Sequence, residues 1–366
     1  MKKSYLVEEY RFAAAISIML FHFLKTWSNQ NNMRMGVEFF FVLSGFLLMA
    51  HLEKHPDESV PSLMMGKLKT LYPGIFVLFW MATICIAILE KKKEIHVMVY
   101  QHLHQLLFLT NAFHGKASWL SGTGQLWFVF SQLWATLILA WLVKMHRKSY
   151  ESALGALIVM GCYTVCIRCS GNLNASFDWK IGDYKIYLPL SLLRALAGLA
   201  CGTLIYLVYK KLSTYTYTRF AQIGGLMVSV GCFATALWLT TRSSKMPINS
   251  YSWRTLIVVL LYAIAILFAF VFENASRQKK KVILIENVFA MEGKLSMPIY
   301  MTHMLVIYVM REVMNPAAYS KKCLLFLLVG TALASALYEV CVRLLRKGCR
   351  AGTDWLKKMC LVQTAE

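Results

Sequence analysis

The chain has 366 residues, of which 58% are hydrophobic and 16% are charged, and its mean hydropathy is +0.53. Soluble domains contain about 45–50% apolar and about 25% charged residues, so this composition excludes an ordinary soluble domain and predicts a polytopic membrane protein. The formal net charge of +21 does not indicate nucleic-acid binding, because Lys and Arg punctuate the apolar stretches instead of forming one basic face. We expect these cations to set the membrane topology and to contact anionic lipid head groups.

The first apolar stretch is expected to remain in the protein as a membrane helix. Glu8, Glu9 and Arg11 interrupt its beginning, and no small-residue cleavage site follows His22. A cleaved signal peptide has an uninterrupted apolar region that ends in such a site. The N-terminus is therefore not predicted to be a signal peptide.

Ten apolar stretches are long enough to span a bilayer, which takes about 17–25 residues. In chain order they are 8–27, 34–52, 72–90, 124–144, 150–169, 187–209, 221–241, 252–273, 294–314 and 322–344. The segment 96–113 is less apolar and is broken by polar side chains, so we expect an interfacial or re-entrant helix there. The segment 170–186 is expected to be an outer loop. The predicted fold is an all-α polytopic membrane bundle of about ten transmembrane helices.

Both termini are expected on the cytoplasmic side. With the N-terminus inside, the inside segments hold more Lys and Arg than the outside segments, which agrees with the positive-inside rule. We expect residues 1–348 to form a membrane-embedded domain and residues 349–366 to form a short cytoplasmic tail. The protein is therefore predicted to be a multi-pass protein of the inner or plasma membrane of the cell.

Arg11 and His22 are two ionisable residues inside the first predicted span. Eleven residues at about 100° each close to within roughly 20° of three full turns, so both side chains share one helix face. At about 1.5 Å per residue they lie about 16 Å apart along the helix axis. Ionisable groups inside a membrane span are costly and usually functional, which makes both residues candidates for a site.

Glu38 lies near the start of the second predicted span, at a depth similar to that of His22 if the two helices are antiparallel. A carboxylate beside a histidine fixes the imidazole tautomer and stabilises the imidazolium, which suits a general base. We therefore predict a catalytic dyad of His22 and Glu38. Two alternatives remain open: Glu38 pairs with Arg34 one turn earlier, and Arg11 pairs with Glu8 at the cytoplasmic surface.

Cys162, Cys166 and Cys169 have the C-x3-C-x2-C spacing of radical iron–sulfur enzymes. They fall in an apolar run, where a thiolate cluster is hard to assemble, so we interpret them as buried small hydrophobic residues. The remaining cysteines indicate neither a disulfide framework nor a zinc site. No metal is expected.

Three motifs and one aromatic turn carry the strongest pattern in the sequence. The first motif is Arg11 followed by ten residues and His22, the second is GVEFFFVLSGF over 36–46, and the third is LSMPIYMTH over 295–303. The aromatic turn is QLWF at 125–128. In these motifs the chain resembles the acyltransferase-3 family of integral-membrane O-acyltransferases. The resemblance extends over roughly residues 5–345, which is nearly the whole chain.

The chain departs from the family pattern at two places. The family has R-x-x-R before the Tyr-Pro or Leu-Pro of the third helix, whereas this chain has Lys67 at the first basic position and Thr70 at the second. Lys69 is adjacent and supplies a charge, although it lacks the bidentate geometry of arginine. Met297 and Pro298 stand where the third motif usually has Tyr-x, and a proline inside a helix favours a kink.

The resemblance implies transfer of an acetyl or other short acyl group from acyl-coenzyme A to a sugar hydroxyl. The acyl-CoA would be used on the cytoplasmic side, and the acceptor would be an envelope polysaccharide or its lipid-linked precursor. A sugar hydroxyl is a poor nucleophile at neutral pH and needs a base, for which His22 is the candidate, with Glu38 orienting it. Arg11 is expected to grip the phosphate or pantetheine end of the coenzyme.

Five further residues are candidates for binding acyl-CoA. Lys67 and Lys69 lie on the same predicted side of the membrane as Arg11, and Tyr72 belongs to the same motif. Arg194 is a charge inside a predicted span that requires a partner or a ligand. His303 is predicted near mid-membrane, where it either lines the acyl tunnel or packs as a hydrogen-bonded residue.

A second class of function competes with the acyltransferase. A transporter or flippase for a glycolipid or small solute could use Arg11, His22 and Glu38 as a proton relay. Such a protein should not consume acyl-CoA, whereas the enzyme should release free thiol. The chain shows no internal repeat with paired broken helices, which favours the enzyme.

Overall fold

The computed structural model describes residues 4–25, 33–91, 95–108, 120–170, 177–181, 183–241, 253–276, 283–314 and 320–363. Twelve helices and one two-stranded hairpin make up this part of the chain. The helices are α1 (Tyr5–Lys25), α2 (Gly36–Lys54), α3 (Val60–Leu89), α4 (Ile95–Leu106), α5 (Leu126–Met145), α6 (Arg147–Ser149), α7 (Gly155–Ser170), α8 (Leu190–Leu212), α9 (Arg219–Thr241), α10 (Trp253–Ser276), α11 (Ile283–Met314) and α12 (Lys321–Gln363). A 3-10 turn at Met33–Met35 leads into α2, and a π-helical segment at Tyr150–Leu154 leads into α7.

Eight helices of the described chain are long and apolar enough to cross a membrane. They cover Met33–Lys54, Val60–Leu89, Leu126–Met145, Arg147–Cys169, Leu190–Leu212, Arg219–Thr241, Thr255–Glu273 and Lys321–Cys349. Each contains or overlaps one of the predicted spans, so the polytopic helical bundle is confirmed. The two other predicted spans correspond to α1 and α11, which have 21 and 32 residues and carry ionisable side chains. Their insertion, and the side on which each terminus lies, stay predictions.

Two short elements lie between the long helices. The segment predicted as interfacial contains α4, whose 12 residues make it about 18 Å long and too short to span a bilayer. The segment predicted as a loop contains β1 (Phe177–Ile181) and β2 (Tyr184–Leu188), which pair antiparallel from Phe177 opposite Leu188 to Ile181 opposite Tyr184. The sequence analysis did not predict these strands, although FDWKI alternates apolar with charged residues at the period of a strand. The outer position of this segment stays a prediction.

Helices α2 and α8 pack at very short range because glycines line their contact. A Cβ built on Gly202 would lie 1.9 Å from the carbonyl oxygen of Val42, and one built on Gly45 would lie 1.9 Å from that of Leu199. Gly198 and Gly202 form a G-x3-G pair on α8, the spacing that lets helix backbones approach closely in membranes. This contact brings the polar side chains of both helices within hydrogen-bonding distance.

Helices α1 and α11 form another extensive contact of the bundle. The side chain of Glu8 lies directly over Gly293, where a Cβ would come within 1.9 Å of the Glu8 carboxylate. Pro298 lies within α11, and its carbonyl oxygen accepts a hydrogen bond from the Thr302 hydroxyl at 2.9 Å. The α1–α11 contact places the residues that follow Pro298 against the second half of α1.

Helix α12 is continuous from Lys321 to Gln363 and has 43 residues. It runs through position 348, where the sequence predicted the end of the membrane domain, without a break in its helical hydrogen bonding. At about 1.5 Å per residue it is about 65 Å long. The division into a domain of residues 1–348 and a tail stays a prediction.

Candidate active site

A buried ion pair joins α2 to α8. The Arg194 guanidinium Nε donates to Glu38 Oε1, and the two side chains are 4% and 0% exposed. Tyr163 on α7 donates its hydroxyl to Glu38 Oε2 at 2.9 Å, so both carboxylate oxygens accept a hydrogen bond. The Arg194 guanidinium also lies over the Trp127 ring, 5.2 Å from its centroid. Gly198 lies one turn after Arg194. A Cβ at this position would clash with the Phe41 side chain at 2.6 Å, so glycine makes this close arrangement possible.

The partners of Glu38 differ from those expected from the sequence. Arg194 and Tyr163 hold the carboxylate, while the guanidinium of Arg34, which the sequence offered as an alternative partner, lies 5.5 Å from the centroid of the Phe21 ring. The expected dyad of His22 and Glu38 stays a prediction. The requirement that Arg194 find a partner is met by Glu38.

Two imidazole rings face each other between α1 and α11. The ring centroids of His22 and His303 are 5.3 Å apart, and the ring planes are inclined at 37°. His303 is fully buried, and its Nδ1 is 2.7 Å from the carbonyl oxygen of Tyr300. Its Nε2 has no hydrogen-bond partner among the residues that the structure describes. The His22 side chain is partly exposed, whereas that of His303 is sealed.

The third motif and the aromatic turn are in direct contact. The Tyr300 hydroxyl donates to the backbone oxygen of Gln125 at 3.0 Å, and the Gln125 side-chain amide donates to the backbone oxygen of Met301. All three residues are buried. These reciprocal bonds fix the segment of α11 that carries His303 against the start of α5.

Aromatic side chains connect the imidazole pair to the ion pair. The ring centroids of His303 and Tyr300 are 5.7 Å apart, and those of Tyr300 and Phe128 are 5.4 Å apart. The ring centroids of Phe128 and Trp127 are 6.3 Å apart, and the Trp127 ring contacts the Arg194 guanidinium. His22, Glu38, Arg194 and residues of all three motifs therefore line one continuous region of the bundle.

A family model described as an acyltransferase domain matches residues 10–340. The chain belongs to the acyltransferase-3 family. The match covers most of the chain, including every motif that meets in the region described above, and it agrees with the expectation from the sequence. The searches of curated proteins and of solved structures found no significant match. The protein is therefore a membrane acyltransferase by family.

Arg11 of this acyltransferase lies on the same continuous helix as His22, as predicted, because α1 extends unbroken from Tyr5 to Lys25. Its Nη1 donates to Glu8 Oε2 at 2.8 Å, and its side chain is 32% exposed. The pairing of Arg11 with Glu8 was one of the alternatives open from the sequence. A partly exposed guanidinium retains N–H groups for another acceptor, so the pairing does not decide whether Arg11 also binds a substrate.

The basic segment of the acyltransferase before Pro73 is helical. Helix α3 begins at Val60, where Ser59 caps it, so Lys67 and Lys69 lie on its first half and not in a loop. Two residues apart, they project about 200° from each other. Lys67 is partly buried and Lys69 is exposed. Tyr72 is exposed, and its ring stacks near Phe76, with the centroids 6.4 Å apart.

Arg346 on α12 is a residue near this segment that the sequence did not single out. Its Nη2 donates to the backbone oxygen of Thr70 at 2.8 Å. Thr70 stands at the second basic position of the family pattern, so a guanidinium from another helix lies next to the place where the sequence lacks one. Nothing in the linear sequence connects positions 70 and 346, and only the packing of α12 on α3 does.

Tyr163 is the other residue that the sequence did not single out. It lies in the cysteine-rich run of α7, between Cys162 and Cys166, where the cysteine spacing was the more conspicuous pattern. The three cysteines of that run are free thiols, and Cys166 is buried. Within the described ranges, no group of three or more His, Cys, Asp or Glu side chains is arranged to hold a metal ion.

Proposed function

We propose that this acyltransferase moves an acetyl or other short acyl group from acyl-CoA to a hydroxyl of a cell-surface polysaccharide or lipid-linked glycan. The observation that carries the proposal is the partly exposed imidazole of His22, which faces His303 inside the helical bundle. The chain that holds this pair belongs to a family of acyltransferases. In the proposed reaction, His22 is the general base. The proposed site of action is the inner or plasma membrane of the cell.

The proposed chemistry is direct transfer between two bound substrates. His22 takes the proton of the sugar hydroxyl as its oxygen attacks the thioester carbonyl, and a base within about 2.6–3.2 Å is needed for this step. The carbon–sulfur bond then breaks, and His22 returns the proton to the departing thiolate of coenzyme A. The ester of the sugar and free coenzyme A are the products. No step requires a metal.

The ion pair supports a role at the acyl end of the donor. Arg194 is held in place by Glu38 and by the face of Trp127, in a setting that excludes bulk water. A fixed, buried guanidinium is suited to an oxygen atom that gains negative charge, such as that of the thioester carbonyl. We assign Glu38 the role of holding the Arg194 guanidinium in position. The predicted contact of Glu38 with His22 stays a prediction.

The cations at the end of α3 support binding of the nucleotide end of the donor. Helix α3 has 30 residues and is about 45 Å long, which exceeds the hydrocarbon thickness of about 30 Å. The half that holds Lys67 and Lys69 therefore extends towards the membrane surface, where phosphates of acyl-CoA are accessible. Lys67, Lys69 and Tyr72, with Arg11 on α1, form the proposed donor-binding set, and Arg346 is added to it because it lies against Thr70.

The proposal is tested with the full-length protein in nanodiscs. We expect acyl-CoA to be consumed and one free thiol to be released per acyl group transferred, with the rate unchanged by EDTA. Mass spectrometry of the glycans of cells with and without the protein should show a shift of one acyl group per modified unit, which identifies donor and acceptor together. A purified protein that neither binds nor turns over a panel of acyl-CoA species would contradict the proposal, and so would a transporter activity coupled to an ion gradient.

A further inference from the structure

His303 holds one fixed tautomer when its ring is neutral. The hydrogen-bond partners of its Nδ1 are the carbonyl oxygens of Tyr300, at 2.7 Å, and Ile299, at 3.3 Å. A carbonyl oxygen only accepts hydrogen bonds, so Nδ1 carries the hydrogen. Nε2 of the neutral ring therefore presents a lone pair and acts as an acceptor.

This acceptor is buried and unused in the part of the chain that the structure describes. His303 is 0% exposed, and its Nε2 has no hydrogen-bond partner there. Buried polar atoms are nearly always hydrogen-bonded, and the exceptions call for an explanation such as a catalytic role or a missing ligand. The hydrogen bonds of Tyr300 and Met301 with Gln125 fix the backbone next to His303. This restrains the position of the His303 ring and of its Nε2.

The ring that faces this acceptor is His22, with its centroid 5.3 Å from that of His303. A neutral imidazole has one N–H group and one lone pair. If the N–H of His22 points to an acceptor, its other nitrogen presents the lone pair that a general base needs. In other general-base sites a carboxylate fills this role. Here the carboxylate of Glu38 is bonded to Arg194 and Tyr163, and the ring that faces His22 is that of His303.

We propose that His303 is the positioning residue for His22: its Nε2 accepts the His22 N–H in the substrate complex and directs the other His22 nitrogen at the sugar hydroxyl. This inference rests on the proposed function and deepens it. When His22 takes the hydroxyl proton, the imidazolium keeps its hydrogen bond to His303. When the proton passes to the thiolate, His22 returns to its starting tautomer, and His303 neither gains nor loses a proton.

The test compares two amides at position 303. In His303→Gln the side-chain amide reaches the position of Nε2 and restores an acceptor, whereas in His303→Asn it reaches only the position of Nδ1, near the Tyr300 carbonyl. We expect His303→Gln to keep kcat within about 3-fold of the wild type, and His303→Asn to lose about 10–100-fold in kcat with KM for acyl-CoA and for the acceptor unchanged. A residue needed only for packing and its backbone hydrogen bond should give the opposite order.

Thr302→Val is the matched control, because Thr302 is also fully buried but bonds to Pro298 and Ser335 on the side of α12. Its kcat should equal that of the wild type. Equal losses in the Asn and Gln variants, or a fully active Asn variant beside an active wild type, overturn this inference alone. A wild type without acyl transfer overturns the proposed function and this inference together.

Discussion

The two pairs of ionisable side chains inside the bundle differ in how their members contact each other. At the α2–α8 contact, both oxygens of Glu38 accept hydrogen bonds, and the pair is sealed by Gly198 and its neighbours. At the α1–α11 contact, Nε2 of His303 has no partner in the described ranges, and His22 is partly accessible. The ion pair therefore ties α2 to α8 directly, whereas the facing imidazole rings leave an acceptor on His303 without a partner in the described ranges.

Replacing His22 should give the largest loss of activity with little loss of stability. His22→Ala is expected to lower kcat by about 10²–10⁴-fold, because a general base contributes that much. The abundance and thermal stability of the protein in the membrane should change little. Thiol release and glycan mass spectrometry measure the first effect, and unfolding in detergent measures the second. His146→Ala, at an exposed histidine after α5, is the control. Retained glycan modification in His22→Ala would remove His22 as the base.

Replacing one member of the buried ion pair should lower the stability of the protein, unlike replacement of His22. Glu38→Ala leaves the Arg194 charge buried without its carboxylate, which costs about 3–5 kcal/mol of stability. Unfolding in detergent measures this loss. The control is Glu53→Ala, which breaks a partly exposed pair with Lys210 and should cost about 0–1 kcal/mol. A similarly small loss of stability in both variants would show that the contact of Glu38 with Arg194 does not stabilise the protein.

The close contact that seals the ion pair gives a third prediction. Gly202→Ala places a methyl group where Val42 leaves no space, and overpacking of this kind costs about 1–3 kcal/mol. Gly231→Ala on α9 is the matched control, because a Cβ there meets no atom of the described chain within 4 Å. That variant should be neutral or slightly stabilised, since alanine favours a helix over glycine by about 1 kcal/mol. Thermal unfolding of both variants decides the matter, and equal stability would argue against the close α2–α8 approach.

The smallest expected effect concerns a region that belongs to neither pair. Lys67→Ala and Arg346→Ala should each raise KM for acyl-CoA by about 3–10-fold and leave kcat nearly unchanged, as expected for binding that is uniform along the reaction. KM for an acyl-pantetheine without the nucleotide should not change. Arg343→Ala, which removes a cation paired with Glu339 one turn earlier on the same helix, is the control. An unchanged KM for acyl-CoA in both variants would exclude this donor site.

The sequence was sufficient for the elements whose signal is local. Apolar runs of about 20 residues marked the long helices, and the unbroken helix α1 confirms that Arg11 and His22 share one element. The start of α3 at Val60 was missed by about 12 residues, because the polar turn before Tyr72 looked like a loop. Ser59 as an N-cap and Pro61 in the first turn were the signals that mark it.

The partners within the site depend on packing and could not be read from the chain. Glu38 and Arg194 are 156 residues apart, and the sequence offered the nearer Arg34 instead. Their contact follows from three glycines that let α2 and α8 approach, and a G-x3-G spacing in α8 was the only linear indication of it. Tyr163 and Arg346 were missed for the same reason, since each reaches its partner from a helix remote in sequence.

The length of α12 has a mechanical consequence. A helix of about 65 Å crosses a hydrocarbon layer of about 30 Å with roughly half of its length to spare. Because α12 is continuous past Arg346, a tilt at one end of this helix also moves its other end, and the hydrogen bond from Arg346 to Thr70 of α3 lies between the two ends.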